Sequence, residues 1–416
     1  MEIVVGAMAS GGGCVARSTS GRVMFVRHTL PGERVVAEVT SANASFLRAD
    51  AVEVIEGSAD RVQPPCPHAG PGRCGGCDWQ HASLSAQRVL KAALVAEQLQ
   101  RLARIEMPVE VEEVDGAADG LGWRTRVRFG IDGEGRAGLH RHRSTSIEPI
   151  EHCRIASPEV TRAGVGALPW VGVRQVEVTA APGGTAPTVS VDSLRSRRPE
   201  LPAIGAGLLV DGRVVRQPTK VRFDVLGHRF EVSAGVFWQV HAGAAAALAT
   251  AVLEGLEPRP GERAVDLYAG AGLFAVSLAL RVGSSGSVMA IERSGRACAD
   301  ASKNTKRFPQ VSIVHSDVSA TLIAGGLGTP DIVVLDPARE GAGGEVMAAL
   351  VSLDPAPRRV AYVACDPASF ARDLSTALQA GWTVASLRAF DIFPMTEHVE
   401  LVCILVPPAD GGVGPR

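Results

Sequence analysis

The spacing of hydrophobic positions changes several times along the chain. Residues 1–56 alternate apolar and polar with glycine breaks, as in Gly21-Arg22-Val23-Met24-Phe25-Val26 and Glu33-Arg34-Val35-Val36-Ala37-Glu38-Val39. Alternation sends successive side chains to opposite faces of a strand, so this stretch predicts short strands joined by turns, Pro31-Gly32 among them. A small β-barrel is expected. Residues 57–81 hold Pro, Gly and Cys without a period, and helical spacing follows from 84 to about 102. Residues 120–232 predict more strands with irregular connections. The Pro-, Ser- and Arg-bearing segment 185–205 predicts a mobile loop.

From Pro258 the pattern becomes strand, loop and helix in alternation. Strands are predicted at 263–267, 287–291, 311–314, 332–335, 359–364, 384–390 and 399–406, with helices between most of them. That alternation predicts a doubly wound α/β domain. The last two strands are separated only by 391–398, too short for a crossover helix, so they are expected as antiparallel neighbours. A mostly parallel sheet closed by an antiparallel hairpin is the arrangement of Rossmann-like class I methyltransferases. The expected organisation is a barrel over 1–56, a strand-rich central domain over 57–235 and the α/β domain over 236–416.

Composition narrows this picture. The chain has 416 residues, 46% hydrophobic and 21% charged, which suits two or three globular domains. A formal net charge of −2 excludes a protein that grips nucleic acid by bulk charge; any such contact has to be local. One candidate patch is Arg124, Arg126, Arg128, Arg136, Arg141 and Arg143, with His140 and His142 among them. A solvated, charge-laced hairpin explains it equally well, and Glu148 and Glu151 follow closely. No apolar run approaches the ~18 residues of a membrane span, and no N-terminal apolar leader is present. A soluble, cytoplasmic monomer without a membrane partner is expected. Eight Cys in a chain this long do not make a disulfide scaffold; their placement suggests a metal site and a reactive thiol.

The segment Val265-Asp266-Leu267-Tyr268-Ala269-Gly270-Ala271-Gly272-Leu273-Phe274 reads as a strand, a glycine turn and a helix, a place where backbone approaches a ligand. Glu292 ends the next strand, where a carboxylate can accept from ribose hydroxyls. The loop also satisfies the loose dinucleotide pattern Gly270-x-Gly272-x-x-Ala275. The acidic Asp266 beside it argues against a pyrophosphate and for a sulfonium cofactor, S-adenosylmethionine. The strands ending at Leu335 and Ala364 carry Asp336 and Cys365 to the same rim as Glu292, since chemistry in such sheets sits outside the carboxyl ends. Cys298 and Cys403, inside a predicted helix and strand, read as structural. Cys365 sits at a strand tip before a helix, whose N-terminus is expected to lower its pKa and favour the thiolate. A thiolate has a purpose in methylation of a pyrimidine. Attack at carbon 6 makes carbon 5 nucleophilic, and a base then removes the carbon 5 proton. The segment Phe393-Pro394-Met395-Thr396-Glu397-His398-Val399-Glu400 supplies Glu397 and Glu400 for that purpose. Trp238, Phe237 and Tyr268 are either stacking surfaces or core.

Cys66, Cys74 and Cys77 have ligand-like spacing, and Cys153 offers a fourth thiol. His68 and His81 are alternative ligands, and zinc is the default ion for four thiolates.

Cys365-x-Pro367 after a strand, Asp336-Pro337-Ala338-Arg339 before it, and Phe393-Pro394-x-Thr396-x-His398-Val399-Glu400 after it resemble the RNA (uracil-5-)-methyltransferases. The resemblance covers most of the chain. It implies Cys365 as nucleophile and Glu400 as base. It implies Gln239, Tyr268, Glu292, Asp317 and Asp336 as positions near cofactor and uracil. The subset with an N-terminal barrel of the TRAM type implies a [4Fe–4S] cluster on Cys66, Cys74, Cys77 and Cys153 in place of zinc, and RNA as partner, ribosomal RNA more than transfer RNA. The chain departs from the family at Asp366, often Asn, at Leu273, often polar, and in a cysteine loop two residues longer at Gly70-Pro71-Gly72-Arg73. Two other readings stand beside this one: cytosine-5 methylation, and a metal-bearing RNA-binding or redox-sensing protein on a vestigial methyltransferase fold. The intact set Asp266, Glu292, Cys365 and Glu400 opposes the latter.

Overall fold

The computed structural model describes residues 1–184, 186–195 and 199–408. Strands β1 (Glu2–Val4), β2 (Met8–Ala9), β3 (Gly13–Arg17), β4 (Val23–Arg27), β5 (Arg34–Ala42) and β6 (Phe46–Glu56) come first, followed by helix α1 (Leu84–Gln98) and strand β7 (Val111–Glu113). Next come β8 (Arg126–Ile131), β9 (Ala137–His140), β10 (Ile147–Pro149), the short helix α2 (Pro158–Thr161), β11 (Val173–Thr179), β12 (Thr188–Ser193), β13 (Gly207–Val210) and β14 (Arg213–Arg216). The hairpin β15 (Lys220–Val225) and β16 (His228–Ser233) leads to α3 (Ala244–Leu256), β17 (Arg263–Leu267), α4 (Leu273–Val282), β18 (Ser287–Glu292) and α5 (Gly295–Asn304). The chain ends with β19 (Val311–His315), α6 (Ala320–Gly326), β20 (Ile332–Leu335), α7 (Gly344–Val351), β21 (Arg359–Ala364), α8 (Pro367–Gln379), β22 (Thr383–Asp391) and β23 (Glu400–Val406).

The chain divides into two compact units. One comprises 1–94, 116–219 and 393–398; the other comprises 95–115, 220–392 and 399–416. In the first, β1 to β6 form a curled sheet in the order β1-β5-β6-β4-β3-β2. Alternation explains it: Met24, Val26, Val35, Leu47 and Ala49 point inward and are buried, together with Trp79. A second sheet runs β10-β9-β8-β11-β12-β13-β14 over a core that includes Phe129, Trp170, Val176 and Val189. Close pairing of β9 with β10 demands glycine at 138, where a Cβ would lie 2.0 Å from the Glu148 carbonyl oxygen. Segment 185–205 is not a featureless loop, since Thr188–Ser193 is β12, paired to β11 and β13. Within that segment Thr185 and residues 196–198 lie outside the described residues.

The second unit is an eight-stranded sheet in the order β19-β18-β17-β20-β21-β23-β22-β7. Strands β17 to β21 are mutually parallel, whereas β23 runs antiparallel to both β21 and β22. Each predicted strand of this sheet falls within two residues of its position. The parallel strands are nearly continuous apolar runs because both faces are covered by helices. Helix starts are marked by caps: the Ser294 hydroxyl accepts from Ala297 N–H, and the Asp366 carboxylate accepts from Ser369 N–H at 2.7 Å. The eighth strand, β7, was not expected.

Candidate active site

The strand order reverses beside β17, with β18 and β19 on one side and β20 and β21 on the other. In such sheets this switch point at the carboxyl edge is where ligands bind. The turn after β17 is built to open there. Tyr268, Gly270 and Gly272 have φ of 64°, 54° and 90°, and a Cβ at Gly270 would meet nothing within 4 Å. Glu292 ends β18 and accepts the Gly270 N–H at 2.9 Å and the Ser294 N–H at 2.6 Å. Tyr268 follows β17 and is half-buried. Asp336 follows β20 at the same edge. Asp317, just past β19, is exposed and stands 3.7 Å from Arg293. Gln239 is buried in the irregular segment between β16 and α3. Trp238 is core, stacked on Phe223 at 5.2 Å, while Phe237 is 62% exposed.

Asp266 is completely buried, and desolvation raises its carboxyl well above the ordinary range against the pull of the Ala275 N–H. Burial disfavours the charged form of this carboxyl, so its charge is no argument for one cofactor type over the other. The closing antiparallel hairpin is.

Register brings the two catalytic candidates together. Antiparallel pairing sets Ala364 against Leu401, so Cys365 and Glu400 are the next facing positions. Glu400 is only 2% exposed. Burial, then the charge of Asp336, raises its carboxyl well above the usual range, with Arg339 opposing. Burial pushes Asp336 up to about 7. Cys365 is half-buried, and its thiol is pushed up to about 12 by desolvation, then by Glu400 and Asp336, against the weaker effect of Arg339. The expected lowering by the helix N-terminus is overruled. Asp366, not the thiol, caps α8, and its carboxylate adds to the acids around the sulfur. Cys298, whose thiol donates to the Glu292 carbonyl at 3.3 Å, and the wholly buried Cys403 sit in the interior as expected.

The sequence pattern gives little sign of the framework behind this rim. The Asp373 carboxylate on α8 accepts from Tyr362 O–H at 2.6 Å, Ala342 N–H at 2.7 Å and Gly343 N–H at 3.1 Å. Ser369, one turn earlier, donates its hydroxyl to the Arg339 carbonyl at 2.7 Å. Together they hold the loop that follows Asp336. The one available signal is the i, i+4 spacing of Ser369 and Asp373 on a helix.

In the first unit, Cys66, Cys74, Cys77 and Cys153 line one small cavity together with His68, whereas His81 is not among its lining residues. Burial pushes the Cys74 thiol up to about 11 and raises those of Cys77 and Cys153. The thiols share a cavity but not the spacing of single-ion ligands: among the described residues no group of three His, Cys, Asp or Glu is placed to hold a metal ion. The arginine-rich segment is mostly neutralised. Arg128 binds Glu177, Arg136 binds Asp132 and Arg141 binds Glu148, each at 2.8 to 2.9 Å.

Residues 1–52 match the TRAM domain. Over 430 residues the chain is 47% identical to a protein of Streptomyces avermitilis named an uncharacterized RNA methyltransferase, with 99% of each covered. It is 32% identical to the 23S rRNA (uracil(1939)-C(5))-methyltransferase RlmD of Halomonas elongata, over 98% of this chain and 89% of that one. The chain belongs to the RNA methyltransferases. This RNA methyltransferase also shares its fold with the Pyrococcus abyssi tRNA (uracil-54, C5)-methyltransferase solved with S-adenosyl-L-homocysteine, at a TM-score of 0.74 and 20% identity, covering 98% of this chain and 99% of that one. Among its described residues no helix is long and apolar enough to cross a membrane.

Proposed function

We propose that the protein methylates carbon 5 of a uridine in RNA, through a transient bond between Cys365 and carbon 6. The observation that carries this reading is a rim cysteine one residue past β21, near enough to the buried glutamate at the head of β23 to feel its charge. The open turn at Gly270 and the carboxylate of Glu292 fit S-adenosylmethionine, with Tyr268, Asp317 and Gln239 as further contacts. When bound, that cofactor supplies an electrophilic methyl group.

The reaction asks this chain to accept two protons, one from the thiol and one from carbon 5. Two carboxylates face the sulfur, Asp336 and Glu400, and both are more basic than ordinary carboxylates. Cys365 sulfur bonds to carbon 6 as its proton passes to this pair, and the electron pair of the C5–C6 double bond moves onto carbon 5. Carbon 5 is then nucleophilic toward the methyl group that bound S-adenosylmethionine would supply, its S–CH3 bond breaking to leave the neutral thioether. Glu400, heading the returning strand, removes the carbon 5 proton. The electrons left behind restore the double bond and expel the thiolate. Arg339, held through its carbonyl by Ser369, offsets the negative charge of the three acids.

RlmD acts on ribosomal RNA and the Pyrococcus enzyme on transfer RNA. The full-length likeness to RlmD favours ribosomal RNA here. Cys66, Cys74, Cys77 and Cys153 would hold a [4Fe–4S] cluster. What supports it is that the four thiols line one cavity. Its role would be to tie three chain segments together, since the chemistry transfers no electrons.

The test is nucleoside mass spectrometry of RNA treated with S-adenosylmethionine and either wild-type, Cys365→Ala or Glu400→Gln protein. Wild type is expected to form 5-methyluridine and Cys365→Ala none. Glu400→Gln is expected to accumulate a protein–RNA adduct that survives denaturing electrophoresis. Product from Cys365→Ala at the wild-type rate, or 5-methylcytidine in place of 5-methyluridine, overturns the reading.

A further inference from the structure

Helix α5 carries two kinds of contact. Ala297, Cys298 and Ala301 are buried, as small apolar residues are where a helix lies on a sheet. Arg296, Asp300 and Asn304, four residues apart, form a polar row along the same helix. Asp300 is 1% exposed, and its carboxylate is fully used. It accepts from the Ser233 N–H at 2.7 Å, the Ser233 hydroxyl at 2.8 Å and the Lys220 ammonium at 2.8 Å. Arg296, one turn earlier, donates to the Ala234 carbonyl at 2.6 Å. Asn304, one turn later, accepts the Glu231 N–H at 2.9 Å and donates to the carbonyls of Glu231 at 3.2 Å and Ala271 at 2.9 Å.

The partners of this row are the end of β16 and the turn that leaves it. The Val236 N–H bonds the Ser233 carbonyl at 3.0 Å, and Gly235 has φ of 79°. Residues 233–236 are therefore a tight turn whose third position favours glycine. Gln239 follows three residues later. The same helix reaches the other two parts of the proposed cofactor site. At its start, the Ser294 N–H bonds the Glu292 carboxylate at 2.6 Å and the Cys298 thiol bonds the Glu292 carbonyl at 3.3 Å. At its end, Asn304 holds the carbonyl of Ala271, inside the glycine turn. One helix is thus tied to Glu292, to the glycine turn and to the segment bearing Gln239. Apolar packing is non-directional and would let a hairpin slide over a helix; hydrogen bonds to backbone groups fix one register. A buried carboxylate is a costly way to attach a hairpin if attachment is all that is needed.

We infer that Asp300 and Arg296 are positioning residues for the cofactor, holding the 233–236 turn so that Gln239 stands at a fixed distance from Glu292. Through that distance they set the affinity for S-adenosylmethionine. The inference rests on the reading of Gln239 and Glu292 as cofactor contacts, and adds to them two residues that act only through Gln239. Asp300 fixes the turn at Ser233 and Arg296 fixes it at Ala234, so neither residue replaces the other.

The experiment is a double-mutant cycle on S-adenosylhomocysteine binding to the full chain, read by isothermal titration calorimetry. The variants are Gln239→Ala, Asp300→Ala and Arg296→Met, and each of the last two combined with Gln239→Ala. Gln239→Ala and Asp300→Ala are each expected to weaken binding about tenfold, and Arg296→Met about threefold. With Ala already at 239, the Asp300 and Arg296 substitutions are expected to weaken binding less than twofold further, because a residue that acts through Gln239 then has nothing to place. A purely structural role does not produce that dependence on residue 239. Arg296 is exposed, so the Arg296→Met arm decides the matter if Asp300→Ala fails to fold. Losses of the same size with and without Gln239 overturn the inference, and so does wild-type binding by both Asp300→Ala and Arg296→Met. Gln239→Ala that binds like wild type overturns the inference and leaves the reaction at Cys365 standing. Wild type that binds no S-adenosylhomocysteine overturns the inference and the cofactor reading together.

Discussion

Replacing Asp366 by Asn keeps a good helix cap and removes one of the negative charges that hold the Cys365 thiol protonated. A thiol raised to about 12 is almost wholly protonated at neutral pH, and its reactive fraction grows with pH until that value is passed. Taking away a negative neighbour lowers the thiol pKa, so the alkylation profile moves to lower pH. Asp366→Asn is expected to react with iodoacetamide about two to five times faster than wild type at pH 8, with unchanged thermal stability, because each unit of pKa is tenfold in thiolate. A rate equal to or below that of wild type would show that burial alone governs the thiol. This residue marks where the sequence stops being legible. The position of Cys365 at a strand tip before a helix follows from local pattern, and the helix does begin there. The direction of its pKa does not follow, since burial, and then Glu400 and Asp336 from strands distant in sequence, outweigh the helix dipole.

At the scale of elements, the strands of the α/β sheet were readable because each is a self-contained apolar run between turn signals. Strand β7 was not, as three residues bearing two glutamates carry no period. It forms because β22 offers an edge, and Arg388 on that edge grips Glu112 through both guanidinium arms at 2.7 Å. The loop after β20 was equally hidden. Its shape is set by Asp373 and Ser369 from α8, whose side chains answer backbone groups far away in sequence. Asp373 is therefore a positioning residue for Arg339 and Asp336. Asp373→Asn keeps the size and one acceptor oxygen, but a neutral amide oxygen accepts the three bonds that converge on a single carboxylate oxygen more weakly, at a cost of about 1–3 kcal/mol. The expected result is a turnover number reduced about tenfold, with S-adenosylhomocysteine affinity within about twofold of wild type. Asp373→Ala should be worse than Asp373→Asn on turnover. If both variants lose stability but turn over normally per folded molecule, Asp373 supports only the fold.

At the scale of the whole chain, the two compact units do not correspond to two consecutive stretches of sequence. The sheet of the α/β unit draws β7 from residues 95–115 and the rest from beyond residue 219, while the tip of its last hairpin, 393–398, belongs to the other unit. There that tip is firmly held. Met395 has φ of 69°, a left-handed conformation unfavourable to its side chain, and its carbonyl accepts from the Asp78 and Trp79 N–H groups at 3.0 Å. Gln87 accepts the Met395 N–H at 2.7 Å, and Lys91, fully buried, donates to the Phe393 carbonyl at 3.0 Å. Five residues beyond Met395 comes Glu400, so the tip that the cysteine-bearing unit holds is joined by a short covalent run to the proposed base. A fragment covering 220–416 alone would present β22 as a bare edge, leave Arg388 without Glu112, and strip residues 393–398 of every one of these partners. The loss of several hydrogen bonds at about 1 kcal/mol each predicts a melting temperature lower by roughly 6–12 °C or more than that of the full chain with S-adenosylhomocysteine present, together with aggregation through the open edge. Joining residues 95–115 ahead of 220 through a flexible linker should recover the part of the loss due to β7 and none of the part due to the tip. Differential scanning fluorimetry of the three proteins decides the matter: a 220–416 fragment that melts cooperatively at the temperature of the full chain would mean that neither the borrowed strand nor the anchored tip matters to the fold that carries Cys365.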